Sequence, residues 1–161
     1  IASGVRIGLK KRIPMAAGLA GGSADAAAVL RGLNELFSLR LTTKQLCALG
    51  EKLGSDVPFC ICGGTMLAEG RGELLTRLPD MPECFVVLAK PAADVTINTY
   101  EEIQKYKTIM CKCGALASLM SGSGSTVFAL AATEQQARNI AAELTQKTAA
   151  QVFVTKTISR N

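Results

Sequence analysis

The sequence predicts an α+β protein in two small domains, and three observations carry that reading. A segment of period two, a glycine-rich loop and a helical pattern follow one another over residues 5–37. Two prolines, Pro79 and Pro82, then interrupt the chain at a spacing that suits neither helix nor central strand. Beyond them the patterns run strand, helix, strand, strand, helix, strand, the β-α-β-β-α-β order of a ferredoxin-like unit. The domains are accordingly placed at 1–78 and 82–161.

In residues 5–13, Val5, Ile7, Leu9 and Ile13 alternate with Arg6, Lys10 and Arg12, the pattern of a half-buried strand, with Lys11 breaking the apolar side. Residues 14–23 are too rich in glycine for a helix interior. They run directly into Ala26, Val29, Leu30, Leu33 and Phe37, spaced three and four apart, so a helix is expected from near Ala24 with Ser23 capping its first turn. Thr42-x-x-Gln45 announces a second helix by a capping box, with the stripe Leu46, Leu49, Leu53 and a stop at Gly54. Gly63-Gly64 turns the chain toward a strand at 65–69, and Arg71-Gly72 reads as a turn. In the second half the spacing predicts strand 84–89, helix 98–106, strand 115–120, strand 126–131, helix 134–146 and strand 151–158. The last of these helices has its own capping box in Thr133-x-x-Gln136.

Composition narrows the function classes. With 48% hydrophobic and 19% charged residues in 161, burial can meet the ordering cost of folding, which excludes a disordered chain. Nowhere do 18 apolar residues run together, so no membrane span is expected. The net charge of +5 is uneven: residues 1–40 hold six Lys or Arg against two acids, whereas residues 41–107 hold seven against nine. The N-terminal piece therefore favours anions. Its longest basic run is only Lys10-Lys11-Arg12 and aromatics are 4%, so a small phosphorylated ligand is expected and no nucleic acid. Ile1 stands in place of an initiator Met and no signal-peptide pattern follows, which suggests a piece of a longer cytoplasmic protein. In that setting the six cysteines are expected as reduced thiols; the pairs Cys60/Cys62 and Cys111/Cys113 lack zinc spacing and the chain has no His, so no metal held by protein ligands alone is expected.

The chemistry-bearing candidates follow. Glycines ahead of a helix N-terminus let its free N–H groups wrap a phosphate, and Ser23 adds a hydroxyl for a phosphate oxygen or for the Mg²⁺ that accompanies a nucleotide. The loop is not a Walker A motif, and a tight turn for close helix packing is the alternative reading. Asp56 is either the base for a hydroxyl in phosphoryl transfer or the cap of a short helix starting at Val57. Lys11 either reaches a substrate or lays its stem over the core. The second glycine loop, Ser121 to Thr126, either closes over a nucleotide or only joins two strands. Without histidine, Ser-His-Asp and Cys-His nucleophiles have no candidates.

Taken together, Lys11-Arg-Ile-Pro-Met-Ala-Ala-Gly18-Leu-Ala-Gly21-Gly22-Ser23-Ala-Asp25, Gly54-Ser-Asp56-Val-Pro-Phe59 and Leu119-Met-Ser-Gly-Ser-Gly-Ser-Thr-Val-Phe128 resemble the GHMP kinase superfamily over nearly all of residues 5–158. The resemblance implies a partial N-terminal GHMP kinase domain followed by the C-terminal one. It implies ATP and Mg²⁺ as cofactors and phosphorylation of a hydroxyl on a small cytidine-diphosphate-linked alcohol of non-mevalonate isoprenoid synthesis. By position, Gly18, Leu19, Gly21, Gly22 and Ser23 would cradle the ATP phosphates and Asp56 would be catalytic. Lys11 and Thr99 would lie on the substrate side, and Ser121, Gly122, Ser123 and Gly124 would support the phosphate loop. The family's opening strand with its lysine is absent, as is a helical stretch between about Tyr106 and Cys111, and Ser125 replaces the usual proline. An inactive nucleotide-binding remnant and a sister kinase acting on homoserine or a mevalonate-pathway intermediate are the alternatives.

Overall fold

A computed structural model describes residues 4–92 and 99–158. The chain separates into two compact units, residues 4–15 with 20–80 and residues 16–19 with 81–158. Residues 16–19 thus group with the second unit, although the sequence places them in the first domain.

In the first unit, α1 (Gly21–Leu36) carries its apolar stripe toward α2 (Thr43–Glu51) and α3 (Val57–Cys62). The α1–α2 turn is tied by Asn34, whose Oδ1 accepts from the Leu41 N–H at 2.9 Å and whose Nδ2 donates to the Leu41 carbonyl at 3.2 Å. The capping box of α2 forms as its sequence requires: Thr42 Oγ1 accepts from the Gln45 N–H, and Gln45 Oε1 accepts from the Thr42 N–H. Ala27, Leu46, Val57 and Ile61 make the core. Gly50 lets α2 and α3 come close, since a Cβ there would stand 2.8 Å from Val57 Cγ1. A hairpin follows, β1 (Met66–Glu69) and β2 (Leu74–Arg77), with Met66 opposite Arg77 and Glu69 opposite Leu74. The second of these strands, Leu-Leu-Thr-Arg, does not alternate apolar with polar residues and so shows no strand period in the sequence.

Residues 5–13 do not form the expected strand. A single strand has no stability without a ladder, and among the described residues no segment pairs with this one. Val5, Ile7 and Leu9 stay exposed in consequence.

The second unit has one antiparallel sheet of β3 (Phe85–Lys90), β4 (Ala117–Met120), β5 (Val127–Ala131) and β6 (Gln151–Lys156), in the order β4-β5-β3-β6. Numbered within the unit this is 4-1-3-2 read from the β6 edge, the arrangement that the β-α-β-β-α-β order requires. The period of two puts Val87, Ala89, Val127, Ala129 and Ala131 on one buried face, covered by Ile103, Tyr106 and Met110 of α4 (Thr99–Lys112) and Ala137, Ile140 and Leu144 of α5 (Glu134–Lys147). Helix α4 runs six residues past the expected end at 106; residue 98, its expected start, lies outside the described residues. The extension follows from the spacing of Ile103, Tyr106 and Met110, which keeps one face of the helix buried past residue 106. The expected box of α5 forms only in half. Thr133 Oγ1 accepts from the Gln136 N–H, but Gln136 Oε1 accepts from the Ala132 N–H, one residue earlier, because its amide nitrogen is drawn to the Gly114 carbonyl.

Candidate active site

Helix α1 begins at Gly21, three residues before the expected start near Ala24. Ala20, in the left-handed region at φ 48°, makes the turn, and its carbonyl accepts the first helical bond from the Ala24 N–H at 2.9 Å. Gly21, Gly22 and Ser23 therefore form the first helical turn, whose N–H groups have no intrahelical acceptor. Ser23 does not cap the helix; it sits inside that turn, and its hydroxyl has no hydrogen-bond partner among the described residues. No side chain caps the turn and no acid lies within it, so its positive end is left uncompensated. A Cβ on Gly22 would meet nothing within 4 Å, so the helix start is open on that side.

Lys11 reaches this same turn. Its ammonium forms an ion pair with Asp25, both side chains about one-third exposed, and lies 3.8 Å from where a Gly21 Cβ would stand. Residues 11–13 lie against the helix start, since that Cβ would also be 3.1 Å from Ile13 Cγ2. Asp25 was missed in the sequence reading, yet a signal was present: it is the first acid in the chain and follows four basic residues.

Asp56 is the N-cap residue of α3 by position but not by bonding. Its side chain makes no capping hydrogen bond, and among the described residues it has no hydrogen bond or ion pair. The carboxylate is exposed and faces the backbone of Gly72, where a Cβ would stand 3.7 Å from Asp56 Oδ1. Gly72, at φ 109°, closes the turn at Arg71-Gly72 that the sequence marks. Beside it a cavity of about 250 Å³ is lined by Glu51, Ser55, Arg71 and Glu73. Burial pushes the Cys60 thiol up, and the negative charge of Asp56 pushes it further.

In the second unit, Gly18 is enclosed by the loop 121–124. Ser121 Oγ donates to the Gly18 carbonyl at 2.8 Å, and a Cβ on Gly18 would fall 2.2 Å from the Ser121 carbonyl oxygen and 2.8 Å from that of Gly124. Only glycine fits there, at φ 70°. Gly122 also faces the Gly18 carbonyl, and Leu19 follows half-buried. Ser123 makes no hydrogen bond through its side chain among the described residues. Thr99 opens α4, and its side chain lies outside what is described.

Two profiles match this chain, the GHMP kinases N-terminal domain over residues 2–64 and the GHMP kinases C-terminal domain over residues 70–150. The chain belongs to the GHMP kinase family. Its α+β fold is that of the family's two domains. It is 44% identical to the 4-diphosphocytidyl-2-C-methyl-D-erythritol kinase of Exiguobacterium sibiricum, over 87% of this chain and 65% of that protein. To the enzyme of that name from Acetivibrio thermocellus it is 40% identical, over 98% of this chain and 72% of the relative. A crystal structure of 4-(cytidine 5'-diphospho)-2C-methyl-D-erythritol kinase superposes with a TM-score of 0.76 at 28% identity, covering 91% of this chain and 68% of that one. Homoserine kinase from Cytophaga hutchinsonii, at 17% identity and a TM-score of 0.72, shares the fold. The chain spans 65% of the Exiguobacterium GHMP kinase, and the 185 aligned positions exceed this chain's own 161 residues, so that relative carries segments with no counterpart here.

Proposed function

We propose that this chain serves ATP-dependent phosphorylation of the 2-hydroxyl of 4-diphosphocytidyl-2-C-methyl-D-erythritol. The observation that carries the reading is the open first turn of α1, with free N–H groups, open space over Gly22 and an unbonded Ser23 hydroxyl. Such a turn fits phosphate oxygens, because donors and helix dipole point the same way and no Cβ intervenes. The identity to kinases named for that substrate supports the acceptor.

On this reading the N–H groups of Gly21, Gly22 and Ser23 hold the phosphates, and the Ser23 hydroxyl is the side chain that would hold Mg²⁺. Gly18 and Leu19 continue the phosphate loop, with Ser121 to Gly124 fixing its backbone. The free carboxylate of Asp56 takes or directs the proton of the acceptor hydroxyl, a task that a bonded cap could not perform. Lys11, held by Asp25, supplies a fixed cation toward the acceptor's diphosphate, and Thr99 is assigned to the acceptor by its place in the family pattern alone. Phosphoryl transfer asks the protein mainly for such alignment. No helix among the described residues is long and apolar enough to cross a membrane, and we place the enzyme in the cytoplasm.

The test is ³¹P NMR of the chain with MgATP and the cytidine-diphosphate-linked alcohol, beside Asp56→Asn. Turnover is expected, with kcat in the variant reduced by roughly 10² or more and ATP affinity nearly unchanged. Normal kcat with lost stability would return Asp56 to a structural role. ATP binding without turnover would favour the inactive remnant, a reading motivated by the relatives' extra length.

A further inference from the structure

Helices α2 and α3 bring two cysteines together that lie 15 residues apart in sequence. Cys47 Sγ and Cys62 Sγ are 3.6 Å apart, and Cys47 Sγ is also 3.8 Å from the Pro58 carbonyl of the same facing helix. One turn along α2, Gly50 lies against Val57 and Ile61, so the two helix faces are already in contact beside the sulfurs. Both thiols are partly exposed. Neither C-x-C pair takes part in this way, although the sequence draws attention to those pairs.

We propose that Cys47 and Cys62 form a dithiol modification site, at which a small-molecule disulfide such as oxidised glutathione drives formation of an intramolecular disulfide tying α2 to α3. The first thiol, as its thiolate, attacks one sulfur of the small disulfide. That disulfide bond breaks, one small thiol leaves with the proton, and a mixed disulfide remains on the protein. The second cysteine attacks the protein sulfur of the mixed disulfide and releases the second small thiol. Two protein thiols are oxidised and one small disulfide is reduced to two thiols. Burial, and then the neighbouring Cys62, push the Cys47 thiol up to about 11, which lowers the fraction of Cys47 present as the attacking thiolate. The S···S separation must shrink from 3.6 Å to about 2 Å on closure.

The experiment incubates the reduced chain with excess oxidised glutathione, quenches with acid and maps the peptides by mass spectrometry. The expected product is lighter by two hydrogens, with a single cross-link joining the peptides of Cys47 and Cys62. Closing this loop should raise the thermal midpoint by at least about 5 °C, reversed by dithiothreitol. Phenylarsine oxide, which bridges two adjacent thiols, should bind once per chain and block the cross-link, and Cys47→Ser or Cys62→Ser should abolish both. Cross-links between other cysteines, mixed disulfides alone, or arsenical binding that survives Cys62→Ser would each overturn the proposal. The arsenical assay on the unmodified chain keeps the test valid where a serine variant folds poorly.

Discussion

Among the described residues, eleven from one sheet face and two helices are buried together in the second unit, whereas Ala27, Leu46, Val57 and Ile61 make the buried core of the first. The two stretches of sequence are comparably apolar, so the difference lies in pairing. The second unit has four strands that satisfy one another's backbone and present a continuous face for α4 and α5. In the first unit the amphipathic segment 5–13 has no ladder partner among the described residues, and α1 to α3 must bury their stripes against each other and a two-stranded hairpin. A hydrophobic pattern therefore becomes a core only where the hydrogen-bonding frame around it is complete.

The comparison is broken or sharpened first by cavity formation. Tyr106 is 1% exposed at the centre of the larger core, and burial, followed by the neighbouring Glu102 carboxylate, raises its pKa. Tyr106→Ala should cost about 3–5 kcal/mol in urea unfolding of the second unit, as deletion of a large buried ring does. Leu46→Ala should cost only about 2 kcal/mol, at the low end for such truncations, because a small core relaxes into the space. Equal costs would mean that the first unit is as tightly built as the second.

A smaller effect tests local against tertiary stability within the first unit. Removing the capping hydroxyl in Thr42→Ala should lower stability by about 1 kcal/mol, while Gln45, still able to accept from residue 42, retains half the box. A loss of several kcal/mol would show that α2 depends on its cap more than on Leu46.

The smallest expected effect is on the hairpin turn. The Glu73 carboxylate lies beside its own backbone N–H and accepts a hydrogen bond from that of Arg71 at 2.8 Å, both of which lower its pKa, with Arg71's charge acting the same way. A carboxylate whose folded pKa is depressed contributes stability that is present above its unfolded value and is lost as pH falls through the folded one. In an NMR titration the Arg71 and Glu73 amides should therefore shift with a midpoint below the ordinary glutamate value of about 4.3, while the β3 to β6 amides do not. A midpoint at or above that value would remove the hydrogen bond from the account of the turn.

Elements with strong local signals were legible in advance. The capping box at Thr42, the stripe of α5 and the alternation of β3 and β5 depend on near neighbours, and each appears within a residue or two of its expected place. Strand β2 and the second half of α4 were not legible, the first because Leu-Leu-Thr-Arg has no alternation and is defined by its pairing with β1, and the second because the stripe of Ile103, Tyr106 and Met110 is read only against the sheet that it covers. For the site, the glycine loop, Asp56 and Lys11 were all visible as residue types in an order. Their alternatives were not resolvable from spacing: Asp56 could cap or remain free, and Ser23 could cap or stand inside the turn.

By itself, then, the sequence determined the family, the α+β class, the order of elements and the residues on which the chemistry is proposed to rest, since these follow from motifs and from periods of two and 3.6. Tertiary structure alone decided that segment 5–13 stays unpaired among the described residues, that Lys11 meets Asp25, that Gly18 is enclosed by Ser121 and Gly124, and that Cys62 meets Cys47, 15 residues away. Each of these is a contact between residues 14 or more positions apart, or the lack of one. Local propensity carries no information about such contacts, because they exist only once the helices and strands have packed.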